Sequence, residues 1–318
     1  VSPPRQLLAN VVTVLAVPPA LLTLFGRCGS WHWLADQCSH FPAQYGLSLL
    51  LAAVVLLLAR RWRTALLLLA FAAVDGWQLV PLFTATPPQG AAGGGQVRAM
   101  HSNVMSDNDD HATLLATIRA AAPDFFAACE VTPAWQRSLD TLRDLYPHAI
   151  THATDDCFGI VLYSRHPLRD AAVIPLGFAW APAIRAVVQT PHGDLGVLAV
   201  HTPRPGDRRN TMQRDQALAA IGSAIAPLPA ARLVIGDLNV TRWSAPFQDL
   251  LFAAQLHDTA DGAGWQPTWP TDVPSLLRIP IDQALVSSGI GVTHRRVGPY
   301  IGSDHLPLVV DLVLPAAQ

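Results

Sequence analysis

Apolar positions along this chain follow two rhythms. Before residue 85 they form long, nearly unbroken runs at 7–25, 46–59 and 65–83. The first and third are long enough to cross a bilayer, and Pro18-Pro19 should kink the first. The second is short for a span unless residues 41–45 extend it. These runs predict three transmembrane helices within residues 1–85. A buried helical bundle in a soluble protein is the competing reading, as is a cleaved signal peptide for the first run. No small-x-small site follows that run, and Arg27 before Cys28 makes a poor lipoprotein cleavage site. Residues 84–96, TATPPQGAAGGGQ, carry prolines and then small flexible residues, which predicts a linker at 86–96.

After residue 97 the apolar runs shorten to strand length and alternate with amphipathic stretches. VRAMHSNV reads as a strand with Asn103 at its exit. The next stretch reads as a helix capped by Asp109 or Asp110, with Leu114, Leu115 and Ile118 inward and Pro123 past its end. FFAACE is another strand, in which Cys129 points away from Glu130 and belongs to the core. A helix begins at Thr132-Pro133. FGIVLYS and AIRAVVQT read as strands joined by a loop holding Phe178 and Trp180, and DLGVLAVH as a strand ending at His201. Asn210 is expected to cap a helix running to about Ile225. A helix at 245–256 and strands at 281–287 and 306–313 complete the series. Doubly buried strands interleaved with helices predict an α/β layered sandwich, without internal repeats.

Half of the residues are hydrophobic (51%), and the excess lies before residue 85. Charge divides too. Residues 1–96 hold five Arg against two acids, a net +3, whereas residues 97–318 hold sixteen Arg against twenty-one acids, a net −5. An acidic second half disfavours a protein that tracks nucleic acid by neutralising its phosphates. Every basic residue is arginine. Arg60, Arg61 and Arg63 sit between the second and third runs, whereas the 26–44 loop has only Arg27; this places the N-terminus and the RRWR turn in the cytoplasm and residues 97–318 outside. Cys28 and Cys38 would lie on the oxidising side, where they either pair or stay reduced. Asp75, near the middle of the third run, reads as a protonated or Asn10-paired carboxyl holding helices together, with a functional site as the alternative.

The candidate chemistry centres on RLVIGDLN, residues 232–239. Leu233 to Ile235 suit a buried strand, Gly236 ends it, and Asp237 and Asn239 are two apart, so in extended chain they face one spot. An ordinary Asp/Asn turn is the plain alternative. The company this motif keeps, in order, is Asn103 in MHSNV, Glu130 ending DFFAACE, His201 ending GVLAVH, Asp282 opening IDQALVS, and Asp304-His305 in GSDHLPLVVDL. That series resembles the endonuclease/exonuclease/phosphatase superfamily of metal-dependent phosphoesterases over roughly residues 97–318. The resemblance implies a four-layer α-β-β-α sandwich, two packed sheets flanked by helices, with the site where strand ends of both sheets meet.

A carboxylate ending an apolar strand needs a cation. The resemblance implies that Glu130 is the main Mg²⁺ ligand, with Mn²⁺ as substitute, and that Asn103 and Asp304 lie near the ion. It implies that Asp237 orients or deprotonates the attacking water and that Asn239 contacts the phosphate. His305 would bond a non-bridging oxygen, oriented by Asp282, and His201 would be a second phosphate-contacting imidazole. Family members often carry a second acid or amide close after the Asn; here Val104 and Met105 follow, and Asn108 is the nearest amide. The cluster Arg204, Arg208, Arg209 and Arg214 offers guanidinium groups for a second phosphate, Arg204 and Arg209 foremost, or simply a solvated helix start. Trp243, Trp265 and Trp269 either wall the pocket, meet lipid or pack. His101, His111, His148, His152, His166, His257 and His294 receive no role.

The whole-chain layout is similar to bacterial membrane phosphatases associated with teicoplanin resistance, which implies a lipid-linked phosphate or pyrophosphate handled outside the cytoplasm, with the membrane as partner. A nuclease on that side is the alternative, nucleic acid being the less expected partner. A degenerate receptor or scaffold domain is a third reading, which the intact Glu130, Asp237, Asn239, Asp304 and His305 oppose.

Overall fold

A computed structural model describes residues 3–90 and 94–315, so part of the expected linker lies outside the described residues. The first four helices are α1 (Pro3–Gly26), α2 (Trp33–Ser39), α3 (Pro42–Leu58) and α4 (Trp62–Thr84). Both α1 and α4 are long and apolar enough to cross a membrane, and α2 with α3, bent by 65°, makes a third candidate if the pair is one span. Because α3 begins at Pro42, residues 42–45 do extend the second apolar run. Small residues face inward, Ala9, Ala16, Ala53 and Ala65 meeting Leu49, Leu56 and Leu68. Large ones such as Leu15, Leu58 and Leu67 face outward. That inside-out distribution suits lipid and is costly in water. Asp75 is buried, and its partner is Thr23, whose Oγ1 donates to Oδ2 at 2.7 Å, whereas Asn10 is exposed. Cys28 and Cys38 are unpaired.

The remaining elements alternate as expected but are more numerous: β1 (Gln96–Asn103), α5 (His111–Ala121), β2 (Phe125–Cys129), α6 (Pro133–Leu139), β3 (His148–His152), β4 (Ile160–Ser164), β5 (Leu168–Pro175), β6 (Pro182–Thr190), β7 (Gly193–His201), α7 (Arg208–Ile225), β8 (Arg232–Asp237), α8 (Ala245–Ala254), β9 (Leu256–Asp258), β10 (Asp282–Ser287), β11 (Gly291–Val297) and β12 (Leu308–Val313). They form two six-stranded sheets, ordered β11-β12-β1-β2-β4-β3 and β5-β6-β7-β8-β10-β9. Inner faces meet through Phe125, Ala127 and Leu162 of one sheet and Val197, Leu233 and Ile235 of the other. The outer face of the first sheet packs on Leu114, Ile118 and Trp135 of α5 and α6. That of the second packs on Leu218, Ile221 and Phe247 of α7 and α8. This is the expected four-layer α-β-β-α sandwich. Asp110 caps α5 and Thr132 caps α6. The cap of α7 is Asp207 rather than Asn210; Asn210 supplies the N–H that Asp207 Oδ1 accepts at 2.8 Å.

Helices and sandwich are joined by more than the chain. A buried pair, Arg214 of α7 and Asp36 of α2, closes at 2.5 Å, and Ser244 Oγ donates to the other Asp36 oxygen at 2.6 Å. His40 Nδ1 lies 2.9 Å from Thr241 Oγ1, and the Trp243 indole donates to the Gln78 carbonyl of α4 at 3.2 Å. The last turn of α4 leaves carbonyls without intrahelical partners. One of them, Leu82, accepts from the Gly264 amide at 2.7 Å, and the Pro81 carbonyl, which also takes the Ala85 N–H at 3.1 Å, accepts from Gly262 at 3.1 Å. The Pro88 carbonyl accepts from Val292 N–H at 2.8 Å, so the proline part of the linker packs on β11 instead of hanging free.

Candidate active site

Strand alternation builds the site. The inward-facing core positions of β7 are Val197 and Ala199, and of β8 Leu233 and Ile235. Two residues further on, the same faces present His201 and Asp237. Strand β10 runs antiparallel beside β8 and begins with Asp282 on that face. Register puts His201 opposite Asp237 and Asp237 opposite Asp282, so the three occupy one rung across adjacent strands. From the other sheet, β1 ends with Asn103 on the inward face, two beyond His101 and four beyond Ala99. Polar groups thus replace apolar ones where the inter-sheet core reaches its end. Gly236 is forced by this geometry: a Cβ there would sit 1.9 Å from the Val200 carbonyl oxygen of β7.

Asp237 is the centre. Its Oδ1 accepts the Asn239 N–H at 2.9 Å, while Oδ2 faces Asn103 Nδ2 at 3.1 Å, His305 Nε2 at 3.6 Å and His201 Nε2 at 3.7 Å. Asn239 reaches the cleft by a different route from the one expected. Strand β8 stops at Asp237, Asn239 is left-handed with φ 47°, and its side-chain amide donates to the Thr202 carbonyl at 2.9 Å. Here the Asp/Asn turn and the expected Asp237–Asn239 pair are one structure.

His305 Nδ1 bonds Asp282 Oδ2 at 2.8 Å, and His101 Nε2 lies 3.2 Å from the other Asp282 oxygen. Burial alone would favour a neutral His305 ring, but Asp282 and Asp237 outweigh it and push its pKa up to about 10. Burial likewise pushes Asp282 up, yet His305 and His101 outweigh it and hold the carboxyl well below the usual range. For Asp237 burial wins and the carboxyl is raised, against the pull of His305.

Glu130, with φ 60°, follows the last residue of β2 and takes N–H bonds from Asn103 Nδ2 at 2.9 Å and Ser106 at 3.2 Å. Asp304 accepts from the Trp269 indole at 3.0 Å. Among the described residues neither carboxylate has an ion pair with Arg or His. Glu130 and Asp304 therefore present carboxylate oxygens of the kind a hard divalent cation takes, in the cleft that Asp237 also lines and with no cationic side chain on either; Asn103 turns its Nδ2 to Glu130 and Asp237, and its Oδ1 accepts the Met105 N–H. Ligand atoms of Asp237, Asp282 and His305 also fall within 4.8 Å of one another. There the Asp282–His305 bond already engages two of the three groups, which leaves Glu130 and Asp304 as the carboxylates of the cleft without a cationic partner among the described residues.

Glu130, His201, Asp237, Asn239, Asp304 and His305 line a cavity of about 500 Å³. Its walls hold Trp269, with Arg204 stacked over the ring at 5.2 Å, and Phe158, which meets Trp180 edge-on at 5.0 Å. Three lining residues, Gln37, His40 and Phe41, come from the α2–α3 corner, for which the sequence carries no local signal. His101, to which the sequence assigns no role, lies against Asp282, and its parity with Asn103 marks it. Arg209 is exposed on the first turn of α7 and does not line the cleft. Nor does Arg214, which is turned inward to Asp36, so the expected four-arginine clamp reduces to Arg204. Asn108 bonds the Val104 and Ile301 carbonyls and is structural. Trp243 and Trp265 stack on each other away from the cleft.

A sequence model of the endonuclease/exonuclease/phosphatase family matches residues 93–305. No curated protein matches the chain significantly. Among solved structures, an endonuclease/exonuclease/phosphatase protein from Beutenbergia cavernae is 21% identical, covers 69% of this chain and 72% of its own, and superposes with TM-score 0.54. TDP2 of D. rerio complexed with single-strand DNA product is 17% identical, with coverages of 69% and 99% and TM-score 0.59. A family protein from Bacteroides thetaiotaomicron gives 14% identity, coverages of 70% and 98%, and TM-score 0.57.

Proposed function

Because the chain belongs to the endonuclease/exonuclease/phosphatase family of metal-dependent phosphoester hydrolases and nucleases, we propose that it is a membrane-anchored phosphoesterase acting on a lipid-linked phosphate or pyrophosphate outside the cytoplasm. The observation that carries this reading is that part of the cleft wall, Gln37, His40 and Phe41, comes from the corner leading into the apolar helix α3. We read residues 1–85 as a three-span membrane region, 86–96 as its connection and 97–318 as the catalytic domain. The α1–α3 connection docks on the domain through Asp36, and α4 ends against it. Both therefore lie on one side, and Arg60, Arg61 and Arg63 fall at the opposite end. Positive charge favours the cytoplasm, which leaves the domain outside.

Glu130, with Asn103 and Asp304, would hold Mg²⁺ or Mn²⁺, which supplies charge neutralisation at the phosphoryl oxygens. Asp237, fixed through Oδ1, keeps Oδ2 toward the cleft to orient and accept a proton from the attacking water. His305, held protonated by Asp282, and His201 on the opposite flank donate to oxygens where negative charge develops. Asn239 contacts the phosphate, and Arg204 at the rim takes a second phosphate where there is one.

The test is a panel assay. Full-length protein in detergent is offered a polyprenyl or alkyl pyrophosphate, sphingomyelin, single- and double-stranded DNA, RNA and sugar phosphates, with Mg²⁺ or with EDTA. The lipid phosphate should be hydrolysed much faster than nucleic acid, and only with the metal. Efficient nucleic-acid cleavage with no turnover of any lipid phosphate would establish the nuclease reading instead.

A further inference from the structure

The phosphoryl-transfer residues share their cleft with an apolar set, and part of that set comes from outside the sandwich. Phe41, the residue preceding the first turn of α3, faces the same cavity as Ile279, Ile281 and Trp269. The corner carrying Phe41 is fixed in place. Asp36 is locked between Arg214 and Ser244, His40 rests on Thr241, and Arg214 NH1 also reaches the Asn239 carbonyl at 3.4 Å. A second tie lies on the outer side of Phe41. Gln44 of α3 donates to the Leu276 and Arg278 carbonyls at 3.0 and 3.1 Å. That holds the turn Ser275–Leu277, whose Leu276 and Leu277 are both exposed, beside the start of an apolar helix. Two leucines pointing into solvent there are costly in water and favourable at a bilayer surface. Ile279 connects this surface to the cavity wall.

From this arrangement we infer that the α2–α3 corner is a substrate-binding element: Phe41, with Ile279 opposite, grips the first apolar segment of an amphiphilic phosphate ester whose phosphate lies at Asp237. This rests on the lipid-phosphate reading above and deepens it, since it says which residues distinguish such a substrate from a small soluble ester. A phosphate group fills only a fraction of a 500 Å³ cavity. The remaining wall includes Phe41, Ile279 and Ile281, apolar surface that a small soluble ester or a sugar phosphate would leave uncovered. The tail then leaves past Leu276 and Leu277 into the bilayer beside α3.

The experiment compares full-length wild type with Phe41→Ala and Ile279→Ala, using a long-chain alkyl or isoprenyl pyrophosphate in detergent micelles and a small soluble chromogenic phosphoester. Phe252→Ala, an exposed position on α8, is the control for general effects on the protein. Each cleft variant should raise KM for the amphiphile by about tenfold or more, the scale of losing one buried apolar contact of ~1.4 kcal/mol or more. The kcat/KM for the soluble ester should stay within about twofold of wild type. Lengthening the alkyl chain from four to twelve carbons should improve kcat/KM in wild type and much less in Phe41→Ala. Wild type that ignores the amphiphile overturns the lipid reading and this assignment with it. Wild type that hydrolyses it, with both variants unchanged or with both substrates losing equally, overturns the assignment alone. A variant that does not fold is replaced by Phe41→Leu, which keeps bulk but shortens the contact; it should give a smaller KM rise of the same selectivity.

Discussion

Replacing Gly236 with Ala tests whether the site depends on the close pairing of β7 and β8. A Cβ at residue 236 would lie 1.9 Å from the Val200 carbonyl oxygen, 2.8 Å from its carbon and 2.9 Å from Val200 Cγ2. Real Cβ contacts do not fall below 3.0 Å, so the two backbones must part by at least 1.1 Å (3.0 − 1.9). The obstructing atoms are mostly backbone within a parallel ladder, and no rotamer change relieves them. Asp237 is the next residue, and its Oδ2 lies 3.1 Å from Asn103, 3.7 Å from His201 and 3.6 Å from His305. Overpacking at such a site costs about 1–3 kcal/mol of stability, and a ~1 Å misplacement of a catalytic group costs about 10²-fold in rate. Gly236→Ala should therefore fold with a lowered Tm and lose about two orders of magnitude in kcat. Gly206→Ala, where nothing lies within 4 Å, should behave as wild type. Both are measured by thermal unfolding in detergent and steady-state kinetics with Mg²⁺ on the best substrate of the panel. Wild-type kcat in Gly236→Ala would refute the claim that the strand pairing sets the position of Asp237.

Other outcomes follow from the same geometry. Chelation by EDTA should abolish hydrolysis and added Mg²⁺ or Mn²⁺ restore it, while Glu130→Ala, Asp237→Asn and His305→Ala each lower kcat by roughly 10²-fold or more without unfolding the protein; near-normal turnover in Asp237→Asn would remove its assigned role. Arg98 donates to Asp311 at 2.5 and 2.9 Å, and this bonding holds the Asp311 carboxyl below its usual pKa. Its contribution is thus complete above about pH 4 and fades as the pH falls through the lowered folded value, so Asp311→Asn should cost about 1–2 kcal/mol at pH 7 and distinctly less near pH 3, read as the narrowing gap in Tm. Alkaline phosphatase fused after Gln318 should be active in a bacterial host and silent when fused after Arg63; the reverse would put the cleft in the cytoplasm.

What the sequence disclosed, and what it hid, divides along exposure. Central strands were legible because both faces are buried and their residues form unbroken apolar runs, as in Phe125–Cys129 and Arg232–Asp237. The four strands that the pattern does not predict, β3, β5, β9 and β11, are the four sheet edges. Edge strands need only one apolar face, and β5 alternates between half-buried and exposed with no run to see. The strand-end residues His201, Asp237 and Asp282 were visible for the converse reason: each interrupts an apolar face that continues two residues away, and for Asn103 that face resumes at Ala99, four residues away, with His101 between. Long-range pairing stayed hidden. Arg214 looks like any arginine on a helix start, and nothing near it in sequence announces Asp36, 178 positions away, as its partner. The same holds for Phe41 in the cleft wall, since its neighbours there come from residues 269–281.

The amide bonds from Gly262 and Gly264 to the end of α4, with the Val292–Pro88 bond beyond it, give the catalytic domain a mounting instead of a tether. A domain on a free cord sweeps a hemisphere and meets substrates at any height; one bolted to its helix works at a single altitude. With the lipid-linked substrate proposed above, its encounters happen in two dimensions, and the rate follows the mole fraction of substrate in the lipid film, not its bulk concentration. Diluting the substrate with inert detergent or lipid at constant total amount should slow such an enzyme. Inserting a few glycines after Pro88 should slow it too, by unseating the mount while leaving every catalytic side chain intact.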